Sequence, residues 1–167
     1  MRLEHFKIIS GGQTGVDRAA LLDAALETGV TAGGWCPEGR KAEDGVIAGH
    51  YPLKELPSGG YIKRTKQNVI DSDATLLTYF EYLSGGTEKT LAFCIRHHKP
   101  YLLIDASMLS VDQGATMVEK FVEHFDVSTL NVAGPRASSE PRGYGYTLAT
   151  LQAFIQKNIQ THRASRH

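Results

Sequence analysis

Residues 10–18 read Ser10-Gly11-Gly12-Gln13-Thr14-Gly15-Val16-Asp17-Arg18, and they connect an apolar run to a segment with helical spacing. The run before them, residues 5–9, is short, aromatic and β-branched, which is typical of a buried strand. After them, apolar side chains recur at helical intervals, at Ala19, Leu22, Ala25 and Leu26. A strand, a glycine-rich turn and a helix in this order are typical of an anion-binding turn.

The three glycines of this turn, Gly11, Gly12 and Gly15, carry no Cβ. The backbone can therefore adopt positive φ, and a ligand can approach the peptide N–H groups closely. The helix that follows directs its unpaired N–H groups and its positive dipole end toward the same place. We predict that this loop, with Gln13 and Thr14, binds an anion. In the alternative, Thr14 only caps the helix and the glycines only form a tight turn.

The composition limits the classes of function. The 167 residues include 18 basic and 18 acidic side chains, so nothing in the bulk charge favours nucleic acid as a partner. The chain shows no signal peptide and no apolar stretch near the roughly 20 residues that a membrane helix needs, which predicts a cytoplasmic protein without a membrane partner. Cys36 and Cys94 lack metal-ligand spacing and are expected to be reduced thiols, and no structural metal is expected.

Strand and helix patterns alternate along the rest of the chain. Strands are predicted at residues 30–36, 74–79, 101–105 and 130–133, and helices at 64–72, 91–95, 113–125 and 146–159. A long loop is predicted from residue 37 to residue 60. This alternation predicts an α/β fold, a Rossmann-like three-layer sandwich with a mainly parallel sheet and helices on both faces. We expect one ligand-binding domain over residues 1–160 and a frayed tail at residues 161–167.

A second glycine turn, Gly85-Gly86-Thr87, follows the predicted strand 74–79. Because the carboxyl ends of parallel strands meet at one edge of the sheet, the loops at Gly11, Gly85 and Gly134 should face one crevice. Two glycine turns suit an extended anionic ligand such as a nucleotide or a pterin phosphate. The P-loop pattern G-x-x-x-x-G-K-[ST] and the dinucleotide pattern G-x-G-x-x-G are absent from both turns.

Several arginines near these loops are candidate ligands for an oxyanion, because guanidinium groups suit phosphates. They are Arg18, Arg40, Arg64 and Arg136. For each one, an ordinary surface arginine is the alternative.

Three carboxylates are candidates for a general acid or base: Asp17, Glu43 and Glu88. Asp17 stands in the first turn of the helix, where it could accept from a ligand hydroxyl or only compensate the helix dipole. For Glu43 and Glu88 the alternative to a catalytic role is an ordinary charged side chain that is exposed to solvent. The neighbouring His97 and His98 project about 100° apart on a helix, so no metal site is expected there.

Several sequence blocks together resemble the putative molybdenum carrier family. They are SGGQTGVDRAALLDAAL, GGWCPEGRKAEDG, YPLKE, YIKRTKQNVIDSDATLL, LSGGTEKT and LNVAGPRAS. The resemblance extends over roughly residues 5–155. That family is a branch of the larger Rossmann-like group that includes the lysine-decarboxylase-like (LOG) phosphoribohydrolases. The resemblance implies a nucleotide-like pocket lined by the first glycine loop, residues 11–17, and by the second, residues 85–87.

The hydrolase relatives carry a motif resembling P-G-G-x-G-T-x-E-E, whose glutamates are tied to N-glycosidic cleavage. When Gly86-Thr87 is matched to the G-T pair, Lys89 and Thr90 take the positions of the two glutamates, and only Glu88 remains, displaced by one position. This departure favours a binding protein that holds the molybdenum cofactor or a nucleotide as its phosphorylated small-molecule ligand. A nucleotide N-glycosidic or phosphate hydrolase and a ligand-sensing regulatory module stay open, and the apolar helix faces would suit a homo-oligomer.

Overall fold

The computed structural model describes residues 5–164, which form nine strands and helices of several lengths. The strands are β1 (Lys7–Ile9), β2 (Thr31–Gly33), β3 (Trp35–Pro37), β4 (Lys41–Ala42), β5 (Gly45–Val46), β6 (Lys54–Leu56), β7 (Ala74–Tyr79), β8 (Tyr101–Asp105) and β9 (Thr129–Ala133). The first helical rod consists of α1 (Val16–Arg18), a π-helical segment (Ala19–Ala24) and α2 (Ala25–Thr28). The other helices are α3 (Tyr61–Asp71), α4 (Gly85–Arg96), α5 (Val111–His124) and α6 (Gly143–Ala164).

The central sheet has five parallel strands in the order β2-β1-β9-β7-β8. The last strand in the chain, β9, lies in the middle, where Leu130 pairs with Ile8 of β1 and Val132 pairs with Leu76 of β7. The first helical rod packs against α6, which packs against α5, while α3 and α4 pack against each other. The predicted Rossmann-like sandwich with a parallel sheet and helices on both faces is confirmed.

The main hydrophobic core joins the first strand to the last helix. Phe6, beside β1, meets Phe154 of α6 edge to face, with ring centroids 5.7 Å apart. Both rings are buried, together with Ile8, Leu130 and Leu151. Residues near both ends of the described chain therefore contribute to one core.

The predicted strand 30–36 is divided between two sheets, since β2 belongs to the central sheet and β3 pairs with β6. The division falls at Gly34, whose φ of 127° is left-handed. A Cβ at Gly34 would lie 2.2 Å from the carbonyl oxygen of Ser10, so the chain needs glycine where it passes the first loop.

The predicted loop 37–60 contains regular structure, the β4–β5 hairpin and strand β6. Arg40 holds this segment together by donating to four backbone carbonyls, those of Ile47, Ala48, Tyr51 and Leu53. Arg40, a candidate for phosphate binding, is thus engaged by the chain itself.

All four helices predicted after residue 60 have other bounds in the structure, and two of them differ most. The predicted helix 91–95 begins at Gly85, and the last helix continues to Ala164, beyond the predicted end at residue 159. The rest of the predicted tail, residues 165–167, lies outside the described residues. Among the helices of residues 5–164, none is both long and apolar enough to span a membrane.

Candidate functional site

A cavity of about 260 Å³ lies where β1, β7 and β9 end. The loop after β1 contributes Gln13 to its wall, and α1 contributes Asp17. Ser84 and the first residues of α4, Gly85, Gly86 and Thr87, come from the segment after β7. The segment at the end of β9 contributes Ala133, Gly134, Pro135, Arg136 and Ser139. The loops that were expected to face one crevice therefore meet at this cavity.

The N-terminus of α4 forms one wall of the cavity and has unused donors. The first bond of the helix runs from the Glu88 N–H to the Ser84 carbonyl, and the Ser84 side chain makes no capping bond. Within the described residues, the N–H groups of residues 85–87 therefore have no acceptor. A Cβ at Gly85 or Gly86 would meet open space, so the backbone itself faces the cavity. This end of the helix is suited to an anion.

A buried ion pair between Arg64 of α3 and Asp17 forms a second wall. Arg64 Nη1 lies 3.1 Å from Asp17 Oδ2, and the two side chains are 12% and 5% exposed. Burial raises the pKa of Asp17, although Arg64 and the backbone N–H groups of Gln13 and Gly11 act in the opposite direction. The Arg64 guanidinium lies against Gly11, where a Cβ would be 1.5 Å from Nη1. Its buried Nε has no partner among the described residues.

Glu43, at the tip of the β4–β5 hairpin, connects two loops of the site. Its carboxylate accepts from the Thr14 hydroxyl and from both the hydroxyl and the N–H of Ser138. Thr14 in turn accepts from the Ala137 N–H at 3.1 Å. These hydrogen bonds, chiefly those from Ser138 and Thr14, lower the pKa of Glu43. The carboxylate, a candidate catalytic group by sequence, thus joins the loop after β1 to the loop after β9.

Arg18 also interacts with the β4–β5 hairpin. Its guanidinium forms an ion pair with Asp44 and donates to the carbonyl of Gly12 at 3.3 Å. Gly12 and Gly15 have positive φ, 73° and 79°, as the glycine pattern predicted. Their Cβ positions are filled by the chain, by Leu53 at 2.4 Å and by the Pro135 carbonyl at 2.6 Å. Because Gly12 and Gly15 have no side chain, Leu53 and Pro135 can pack directly against the backbone of this loop.

About half of the predicted site residues line the cavity. On its wall are Gln13, Asp17, Arg64, Gly85, Gly86, Thr87 and Arg136. Off its wall are Gly11, Gly12, Thr14, Gly15, Arg18, Glu43 and Glu88. Glu88 is exposed to solvent on α4.

Sequence reasoning missed Lys89, Phe93, Tyr61 and Ile62, which also line the cavity. The signal for Lys89 and Phe93 was available, because they follow Gly85 at intervals of one helical turn and so share its face. Tyr61 and Ile62 gave no such signal, since their place depends on how α3 packs against α4.

The sequence profile described as the circularly permutated YpsA SLOG family matches residues 8–155. The fold also resembles a crystal structure described as a putative molybdenum carrier protein from Syntrophus aciditrophicus, with a TM-score of 0.86. The two sequences are 44% identical, and the match covers 89% of this chain and 93% of the other. No curated protein sequence shows significant similarity to the chain. Because both the profile and the structural match extend over most of its length, the chain belongs to the circularly permutated YpsA SLOG family.

Proposed function

We propose that this protein binds a phosphorylated heterocycle, the molybdenum cofactor or a nucleotide, in the cavity between its two glycine turns. The observation that carries the proposal is the charge of the cavity wall. Arg64, Lys89 and Arg136 supply three cations, and Asp17, which is paired with Arg64, is the only carboxylate among the described lining residues. Glu43, off the wall, has Oε2 4.0 Å from Arg136 Nε. The free N–H groups at the start of α4 add donors for the same anion.

The remaining wall suits a flat ring. Tyr61, Ile62, Phe93 and Pro135 provide apolar and aromatic surface next to the cationic groups. A ligand with an anionic group at one end and a heterocycle at the other would use both kinds of wall. The structural relative described as a putative molybdenum carrier protein supports a molybdenum-containing cargo as one of these candidates.

We favour the hypothesis of a binding protein over that of a nucleotide hydrolase. Glu88 is exposed and outside the cavity wall, and Lys89 stands on the wall where the hydrolase motif would have a glutamate. Glu43 is held between two loops, off the wall. We also propose a cytoplasmic location and a homo-oligomer, the latter to be checked by light scattering.

The test combines native mass spectrometry of the purified protein with isothermal titration of guanosine 5′-monophosphate and of the molybdenum cofactor. We expect retained cargo or binding of one of these ligands. Lys89→Gln and Arg136→Gln should each weaken binding about tenfold, because each removes a charge-assisted contact. Lys120→Gln, on the exposed surface of α5, is the matched control and should bind as the unaltered protein does. Failure to retain or bind either ligand would overturn the proposal.

A further inference from the structure

Gln13 is a buried amide on the cavity wall, and its oxygen is already used. The residue is 9% exposed and lines the cavity. Its Oε1 accepts two backbone hydrogen bonds, from Thr14 N–H at 3.0 Å and from Glu43 N–H at 3.0 Å. Both lone pairs of the amide oxygen are therefore engaged by the protein.

These two bonds fix which way the amide faces. A flipped amide would direct its NH₂ group against two N–H donors and would leave both of them without an acceptor. Within the described residues, no group accepts a hydrogen bond from Nε2. This atom also keeps some exposed surface, since it does not belong to the fully buried polar atoms that lack a partner. The NH₂ group is thus the part of the Gln13 side chain that can donate to a ligand in the cavity.

We propose that Gln13 is a specificity-determining residue of the cavity. Its Nε2 donates to a ligand oxygen that carries no proton, either a phosphoryl oxygen or a keto oxygen of the heterocycle. A ligand that presents only an amino group at this position is disfavoured, because two donors would then face each other. This inference rests on the proposed function, since it names the atom that the bound ligand must present.

The variant Gln13→Glu separates the two roles of the side chain. A carboxylate can still accept from both backbone N–H groups but cannot donate to a ligand. We expect Gln13→Met, which loses both acceptor contacts, to melt about 4 °C lower or more than the unaltered protein. The melting temperature of Gln13→Glu is measured beside it, because a carboxylate at this buried position also carries a desolvation cost. Gln156→Glu, on the exposed side of α6 and off the cavity wall, is the control for the added charge.

Binding is measured by isothermal titration with three probes: ribose 5-phosphate, inosine 5′-monophosphate and adenosine 5′-monophosphate. We expect Gln13→Glu and Gln13→Met to weaken binding about tenfold or more, and Gln156→Glu to leave it unchanged. A loss for all three probes assigns Nε2 to a phosphoryl oxygen. A loss confined to inosine monophosphate, the keto probe, assigns it to the base.

Other outcomes overturn the inference. If the unaltered protein binds a probe and both Gln13 variants bind it equally well, Gln13 has no recognition role, while the proposed function stands. If only Gln13→Glu loses affinity and Gln13→Met keeps it, the added charge explains the loss and the donor is dispensable. If the unaltered protein binds none of the probes, the inference is overturned, and the titration with the molybdenum cofactor decides separately whether the proposed function stands.

Discussion

Arg64 and Asp17 form the most buried of the ion pairs found among the described residues. We expect Arg64→Met to lower the free energy of unfolding by about 3–5 kcal/mol at pH 7, because it leaves a buried carboxylate without its cation. Urea unfolding measures this loss. The double variant Arg64→Met/Asp17→Asn should recover part of it, since no uncompensated charge then remains.

The same variant should show a defined pH dependence. Without Arg64, the pKa of Asp17 rises further above its ordinary value, which burial already favours. Between the ordinary aspartate pKa of about 3.9 and the raised value, the folded protein then binds a proton that the unfolded chain does not. The loss from Arg64→Met should therefore be largest at high pH and shrink as the pH falls through the raised pKa. A loss of equal size at pH 5 and pH 8 would contradict this account.

Gly15 and Gly29 both have positive φ, 79° and 75°, but they differ in ψ and in what surrounds them. Gly29 lies in the αL region with ψ 14°, and a Cβ there would meet nothing within 4 Å. Gly15 has ψ −129°, and a Cβ there would lie 2.6 Å from the Pro135 carbonyl. We expect Gly29→Ala to cost about 1–2 kcal/mol, from backbone conformation alone. Gly15→Ala should cost about 1–3 kcal/mol more, because its backbone conformation is less accessible to an L-residue and the loop after β9 must shift. Equal melting temperatures of the two variants would refute the contact between these loops.

The glycine pattern of the first loop predicted the conformation of the loop better than it predicted which groups contact it. Positive φ at Gly12 and Gly15 follows from local chemistry, which a sequence displays. The groups that fill the space beside them are Leu53 and Pro135, which come from distant parts of the chain. In the same way, Gln13 was a candidate from the sequence, but the bond that fixes its amide comes from Glu43, and no local pattern shows that pairing.

At the scale of elements, the β4–β5 hairpin acts through Glu43 on the loop after β9. Glu43→Gln exchanges an ionised acceptor of several hydrogen bonds for a neutral amide, so residues 134–139 should become less protected. Hydrogen exchange followed by mass spectrometry should show faster exchange in this loop and in residues 10–18. Glu38→Gln, an exposed residue before the hairpin, is the control and should leave exchange unchanged.

This effect should disappear in acid. The hydrogen bonds hold the pKa of Glu43 below its ordinary value, so the ionised side chain stabilises the fold above the ordinary glutamate pKa of about 4.3. That contribution is lost as the pH falls through the lowered pKa. The difference in melting temperature between the unaltered protein and Glu43→Gln should thus be constant near neutral pH and shrink below about pH 4. A difference of the same size at pH 3 as at pH 7 would show that Glu43 acts through its shape.

The elements that the sequence predicted correctly are those with long apolar runs. Residues 74–79 and 101–105 were predicted as strands at the observed bounds of β7 and β8, because both segments are rich in large apolar, aromatic and β-branched residues. The strands of two or three residues in the predicted loop 37–60 were missed. Such short strands are stabilised by pairing with distant segments, and their own residues give little signal.

At the scale of the whole molecule, β9 is the only strand that connects the two halves of the central sheet described here. It pairs with β1 on one side and with β7 on the other, although it comes last among the strands in the chain. Each half of the sheet therefore keeps an inner strand, β1 or β7, without its second partner until β9 is in place. We expect the sheet to open as one cooperative unit, and native-state hydrogen exchange can test this.

Leu130→Ala is the variant that tests this cooperativity. Leu130 is fully buried in β9, so its truncation should cost about 2–5 kcal/mol. Because both halves of the sheet depend on β9, the slowest-exchanging amides of β1 and β7 should lose the same amount of protection. Leu102→Ala, on the partly buried edge strand β8, should cost less and serves as the control. If Leu130→Ala reduced protection in β7 but not in β1, the halves would unfold independently and β9 would not couple them.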